Sequence, residues 1–204
     1  MAQHRSLPRS FFQRPAGEVA PDLLGHHLVR RLGRRSLILR IVETEAYLGA
    51  SDRASHAWND RRTQRTSVLF RRGGVAYVYF VYGMHYMLNV VTGGADDGSA
   101  VLIRAGEPVA GSEEMRVRRG LERAPRAGDL AGGPGKLCRA LAIDSELNGA
   151  PLDSGPLILA EGSPPAPHEV AVGPRVGVAY AGAAADWLLR FAEEGNPHVS
   201  RPRL

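Results

Sequence analysis

Residues 75–91, VAYVYFVYGMHYMLNVV, leave the chain little conformational choice. β-branched and aromatic side chains crowd the run, and Gly83 is its one glycine. Such a composition favours a pleated, half-buried surface over a helix. It predicts two strands, 75–82 and 86–91, joined by a turn near Gly83, although the turn lacks the favoured Asn-Gly pair. A lone hairpin is marginal in water, so it needs a sheet to join. Further strands are predicted at 36–47, 99–105, 156–160 and 175–180. Helices are fewer. One short helix is expected at 21–28. A second, 113–121, would be capped by Ser112, with Glu113 and Glu114 in its first turn and arginines later. A third would carry Pro134 at its first position and end near Asp144. Helices do not alternate regularly with strands. The expected fold class is therefore α+β: a single mixed, mostly antiparallel sheet domain over 1–204, with flanking helices and a protruding hairpin.

Several classes are excluded. One cysteine, Cys138, rules out a disulfide framework and a Cys-rich zinc site. No apolar run approaches the ~20 residues of a membrane span. The first fifteen residues, MAQHRSLPRSFFQRP, offer no hydrophobic stretch for a secretory signal, so a cytoplasmic protein is expected. The 26 Lys and Arg residues exceed the 21 Asp and Glu, for a net charge of +5. All but Lys136 are arginines. A basic excess suits a polyanion, and guanidinium suits planar phosphate contacts. A GC-rich genome would also replace Lys with Arg, so the ratio alone is weak.

Five constellations could carry chemistry. In the strand Glu43-Thr44-Glu45-Ala46-Tyr47, alternation places Glu43, Glu45 and Tyr47 on one face. Two neighbouring carboxylates would raise each other's pKa if buried, but an exposed sheet face would simply solvate them. Tyr77 and Tyr79 share a strand face, where core packing is the default. Tyr82, at a hairpin tip, has little core to join and could act as a wedge or stacking platform. His56 lies in a polar segment after the Glu-Tyr motif, where a loop histidine is usually just solvated. No HExxH pair and no deaminase pattern occurs. The stretch GGPGKL at 132–137 fails as a phosphate-binding Walker loop, yet its free N–H groups and Lys136 could hold one phosphate. Arg53, Arg61, Arg62, Arg65, Arg71 and Arg72 precede the tyrosine-rich strand, either as a solvated face or as phosphate contacts beside a base-reading wedge.

Taken together, FFQRPAGEVAPDLLGHHLVRRL, RIVETEAYLGASDRASHAW, VAYVYFVYGMHYMLNVV, VLIRAGEP, GGPGKLCRALAID and PRVGVAYAG resemble the alkyladenine (3-methylpurine) DNA glycosylases, in that family's order and over nearly the whole chain. The resemblance implies a base-excision repair enzyme with no metal and no cofactor. Such an enzyme flips damaged purines (3-methyladenine, 7-methylguanine, hypoxanthine) out of double-stranded DNA and hydrolyses the N-glycosidic bond. It implies Glu45 as the base that activates water and Arg104 as the group that positions both. Tyr47, His56, Tyr79, Asn89 and Leu102 would hold the flipped base. Tyr82 would fill the gap left in the DNA stack with Met84 beside it, and Arg61, Arg65 and Lys136 would meet phosphates.

Those residue types suit the reaction. An oxocarbenium-like transition state is stabilised by a nearby carboxylate, and a base cationic from alkylation already leaves readily. Glycosylases that also nick the strand need an amine for a Schiff base. Lys136 is the only lysine and sits where it suits phosphate, so a monofunctional enzyme is expected. One fold unit without a spare apolar face is expected to be a monomer. The sequence departs from the family at His85, where an aromatic residue is common, and at 92–98, a loop slightly longer than in mammalian members. A non-catalytic nucleic-acid binder would have no need of Glu45. A nucleoside hydrolase would need carboxylates flanking its substrate rather than parallel on one strand.

Overall fold

The computed structural model describes residues 4–204. Two short helices, α1 (Arg9–Phe12) and α2 (Ala16–Asp22), precede strands β1 (His27–Leu32) and β2 (Arg35–Tyr47). The hairpin strands follow as β3 (Ala76–Val81) and β4 (His85–Val91), then the long β5 (Ala100–Ala110). Helices α3 (Ser112–Arg119) and α4 (Pro134–Ala140) come next, and β6 (Leu157–Ala160), β7 (Val170–Gly173) and β8 (Arg190–Glu193) complete the sheet. The strands run in the order β3-β4-β5-β2-β1-β6, with β8 also on β2 and β7 on β8. Every pairing is antiparallel. The α+β expectation therefore holds.

β2 organises the molecule. One edge pairs along its length with β5; the other meets β1 over its first half and β8 at Glu43–Glu45. Register against β5 slips on both sides of Glu43. Such a bulge increases local twist and re-aims a side chain. From Ile41 to Ala46 every residue is buried, so this stretch is covered on both faces. One cover is α2, whose Ala20 carbonyl accepts the Thr44 hydroxyl at 2.8 Å. The main core joins Phe12, Leu23, Leu39, Ile41, Leu88, Ile103, Met115 and Leu137.

Some elements differ from the sequence expectation. The first long helix is Ala16–Asp22 rather than 21–28. Pro21 lies in its last turn, and Gly25, at φ 79°, swings the chain into β1. A Cβ on Gly25 would lie 2.2 Å from the Ser163 carbonyl, so only glycine fits there. Gly111, not Ser112, is the N-cap of α3, in a left-handed conformation without a side-chain cap. α4 ends at Ala140, four residues before Asp144. Residues 175–180 form no strand: Gly177, at φ 77°, breaks the extension, Arg175 and Val176 hydrogen-bond to Ala46 and Glu45 of β2 from a loop, and Ala179 begins a 3-10 helix. The strands β1, β7 and β8 were not anticipated.

The hairpin turn matches its expected place. Tyr82 and Gly83 have φ of 55° and 68°, and the Met84 N–H donates to the Val81 carbonyl at 3.2 Å. Two left-handed central residues match the twist of the flanking strands. For tyrosine, that conformation costs roughly 1–2 kcal/mol.

Candidate active site

Burial decides the character of the two glutamates, and the solvated alternative fails: both are 0% exposed. Glu43 Oε1 accepts from Arg104 Nε at 2.8 Å, Arg190 Nε at 2.7 Å and the Ser200 hydroxyl at 3.0 Å. Its Oε2 accepts the Ser200 N–H at 2.8 Å. Burial pushes the Glu43 carboxyl up, but the Arg104 charge and the Ser200 hydrogen bonds outweigh it, leaving the pKa lowered. Glu45 differs. Its Oε1 accepts the Val176 N–H at 2.7 Å and lies 3.1 Å from Arg104 Nη1, while Tyr47 donates its hydroxyl to Oε2 at 2.9 Å. Here burial wins over these partners, and the pKa is raised. The glutamates thus do not raise each other as a simple pair. Arg104 stands between them, and their pKa values move in opposite directions.

Beside this centre lies a cavity of about 380 Å³, within the range of small-ligand pockets. Tyr47, Arg104 and Val176, the three groups that hold Glu45, all line it. So do His56, Tyr77, Tyr79, Asn89 and Leu102, with Tyr82 at the hairpin end. The sheet explains the convergence. Asn89 on β4 sits between Tyr77 on β3 and Leu102 on β5 in register, and Leu102 in turn faces Glu45 on β2. His56 Nδ1 is 2.9 Å from the Tyr77 hydroxyl, and its ring meets Tyr79 edge-on at 4.6 Å. Burial, then the charges of Arg65 and Arg61, hold the His56 pKa down to about 4, so the ring is neutral at physiological pH. Asn89 donates from Nδ2 to the Tyr77 carbonyl at 3.3 Å. Burial raises the hydroxyl pKa values of Tyr47 and Tyr79, keeping both neutral donors.

Two arginines stand behind the tyrosines without lining the cavity. Arg65 lies 5.1 Å from the Tyr79 ring centroid, and Arg175 lies 4.8 Å from that of Tyr47. Arg175 is fully buried in a bidentate pair with Asp52, also fully buried, and donates to the Ala46 and Ala184 carbonyls. Asp52 also accepts the Leu48 and Ala54 N–H groups. This pair fixes the turn after Tyr47 and delivers the adjacent Val176 N–H to Glu45. Sequence reasoning passed over Asp52, Arg175, Val176, Arg190 and Ser200, and assigned Tyr77 to the core alone. The only signal was the presence of Asp52 in SDRASHAW and of Arg175 and Val176 in PRVGVAYAG; Arg190 and Ser200 lie outside every matched segment.

The remaining expected residues surround the mouth or lie further out. Tyr82 and Met84, at the hairpin tip, are 81% and 69% exposed. Arg61 and Arg65 are exposed on the segment before β3. The arginine run does not act as one face. Arg62 pairs with Asp60 and Asp96 and covers Phe70, and Arg71 donates to the Gly149 carbonyl. Lys136 reaches the Gly128 carbonyl at 3.3 Å and lines a second cavity of about 490 Å³. Arg123, Arg126, Arg201 and Arg203 line that groove too, and it shares Arg104 and Pro134 with the first cavity. Among the described residues no three His, Cys, Asp or Glu side chains are placed to hold a metal ion, and no helix is long and apolar enough to cross a membrane.

A buried carboxylate beside an aromatic cavity, with a basic groove running from its edge, is the setting in which the comparisons with known proteins fall. The methylpurine-DNA glycosylase family model matches residues 10–197. A relative from Methanocella arvoryzae is 47% identical over 196 residues, covering 96% of each chain. One from Natranaerobius thermophilus is 44% identical over 195 residues, covering 95% of this chain and 98% of the relative. One from Streptomyces avermitilis is 46% identical over 198 residues, covering 95% and 90%. All three carry the name of a 3-methyladenine DNA glycosylase. With nearly its whole length matched, and a buried glutamate held by three residues of its aromatic cavity's wall, the chain belongs to the methylpurine-DNA glycosylase family and is a DNA glycosylase.

Proposed function

We propose that the protein is a monofunctional DNA N-glycosylase of base-excision repair, its one domain taking double-stranded DNA that contains alkylated or deaminated purines. It flips 3-methyladenine, 7-methylguanine or hypoxanthine into the aromatic cavity and hydrolyses the N-glycosidic bond, leaving an abasic site. The observation that carries this is Glu45: a buried carboxylate of raised pKa whose three partners all form the cavity wall. A raised pKa makes a stronger base once ionised, and general-base catalysis of this kind contributes ~10²–10⁴-fold. Glu45 takes a proton from water as the oxygen attacks the anomeric carbon. The glycosidic bond breaks, and its electron pair leaves with the base. Arg104 holds the carboxylate in place, Tyr47 and Tyr79 bracket the base, and His56, Asn89 and Leu102 meet its edges. Tyr82 and Met84 enter the stack in place of the extruded nucleotide. The backbone passes over Arg61 and Arg65 and along the Lys136 groove. Release of free base from duplexes that each carry one lesion tests this directly.

The hairpin tip gives a sharper test. Exposed and in a costly conformation, Tyr82 contributes little to folding. Tyr82→Gly is expected to keep or slightly raise thermal stability, while weakening binding to abasic duplex about tenfold or more, because stacking is worth ~1–3 kcal/mol per base. Unchanged binding would remove the wedge role. Borohydride treatment during turnover is expected to leave no protein–DNA adduct. A trapped complex would mean an amine attacks the sugar, against a hydrolytic mechanism.

A further inference from the structure

We propose that Glu43 is a positioning residue for base release: held by the C-terminal segment, it fixes Arg104 and keeps that arginine from engaging Glu45 alone. The assignment rests on Glu45 acting as the base. Of the groups that hold Glu43, only Arg104 lines the lesion cavity, whereas Tyr47, Arg104 and Val176, which hold Glu45, all do, so Glu43 reaches the site through Arg104. Its carboxylate takes two guanidinium groups, Arg104 from β5 and Arg190 from β8, and both Ser200 donors. Ser200 Oγ accepts in turn from Arg104 Nη2 at 3.0 Å, and Arg190 Nη2 donates to the Pro202 carbonyl at 2.6 Å. The chain around 200–202 is thereby clasped onto the floor of the site.

The consequence is electrostatic. Arg104 is split between two carboxylates, with Nε on Glu43 and Nη1 near Glu45. The groups facing Glu45 are Arg104 from β5, Tyr47 and Glu43 from β2, the Val176 N–H from the loop, and the Tyr79 hydroxyl from β3, with Arg190 opposite it in register on β8. Neutralising Glu43 removes a like charge from near Glu45 and frees Arg104 to pair with it fully. Both changes favour the ionised Glu45 and make it a weaker base. The orientation of Arg104 also loosens, and misplacement on the scale of 1 Å is costly in rate.

The test measures base release from a hypoxanthine-containing duplex across pH for the unsubstituted protein, Glu43→Gln and Ser200→Ala, with binding to abasic duplex in parallel. Glu43→Gln is expected to lower kcat by about tenfold or more, leave abasic-duplex Kd within about twofold, and move the acid limb of kcat/KM to lower pH. Ser200→Ala removes one hydroxyl and keeps the charge, so it is expected to fold and to lower kcat severalfold. It decides the matter if Glu43→Gln does not fold. Folded variants with unchanged kcat and an unmoved acid limb would overturn the assignment. So would a loss of rate matched by an equal loss of binding, which a purely structural role would give. If the unsubstituted protein releases no hypoxanthine, the same comparison is made on alkylated duplex, and if it releases no damaged purine from either, the glycosylase reading itself falls and the assignment with it. If it is active and the variants match it, only the assignment falls.

Discussion

Glu45→Gln is expected to lower base release by at least about 10³-fold, the middle of the ~10²–10⁴ range for a general base, with duplex binding retained. The amide keeps the shape of the side chain, and its carbonyl can still accept from the Val176 N–H or the Tyr47 hydroxyl, which now hold the carboxylate. It cannot take a proton from water. Its NH₂ would lie near Arg104, so some local rearrangement accompanies the loss of charge. Single-turnover release alongside gel-shift binding checks the outcome. A variant that binds and cuts normally would move the chemistry to another residue. The pH profile of the unsubstituted protein carries the same signature. A raised Glu45 pKa places the acid limb of kcat/KM above the usual carboxylate range, and activity is lost as pH falls through it. His56, held down to about 4, gives no break near the ordinary histidine value of about 6.5.

The second large effect is on stability. Arg175→Ala is expected to destabilise the fold by ~3–5 kcal/mol, because it leaves Asp52 buried without its cation. For a chain of this length that is a fall in Tm of about 6–20 °C. The loss also falls on the site, since Arg175 backs the Tyr47 ring and precedes Val176. Thermal unfolding followed by far-UV circular dichroism measures it. A shift under about 2 °C would show that water or neighbouring groups satisfy Asp52, and that the pair contributes little.

The parts of this structure that sequence could reveal are those whose physics is local. The hairpin was legible because its β-formers are dense and Gly83 interrupts them once. Glu45, Tyr47 and His56 stand within one short motif and were singled out through the family resemblance, because the residues alone read as a solvated sheet face and a solvated loop histidine. The misses are non-local. β8 contains the charged RFAE, which reads as surface until Glu43, 147 residues away, neutralises Arg190. β7 lies inside 161–174, EGSPPAPHEVAVGP, whose prolines and glycines make the whole stretch read as loop. HLVRRL follows a proline that suggested a helix start, whereas Pro21 sits in the last turn of a helix begun at Ala16. Glu43 and Glu45 look identical in sequence. At Glu45 burial outweighs Arg104 and the Val176 N–H, 131 residues away, whereas at Glu43 Arg104 and the hydrogen bonds of Ser200, 157 residues away, outweigh burial, and no spacing rule reaches that far.

Release of free 3-methyladenine from alkylated duplex DNA by the purified protein, with the DNA strand then examined for breaks, tests the central claim most directly. The expected result is free base together with an intact strand carrying an abasic site, and no release by Glu45→Gln. Failure to release any damaged purine, or release undiminished by Glu45→Gln, would contradict it.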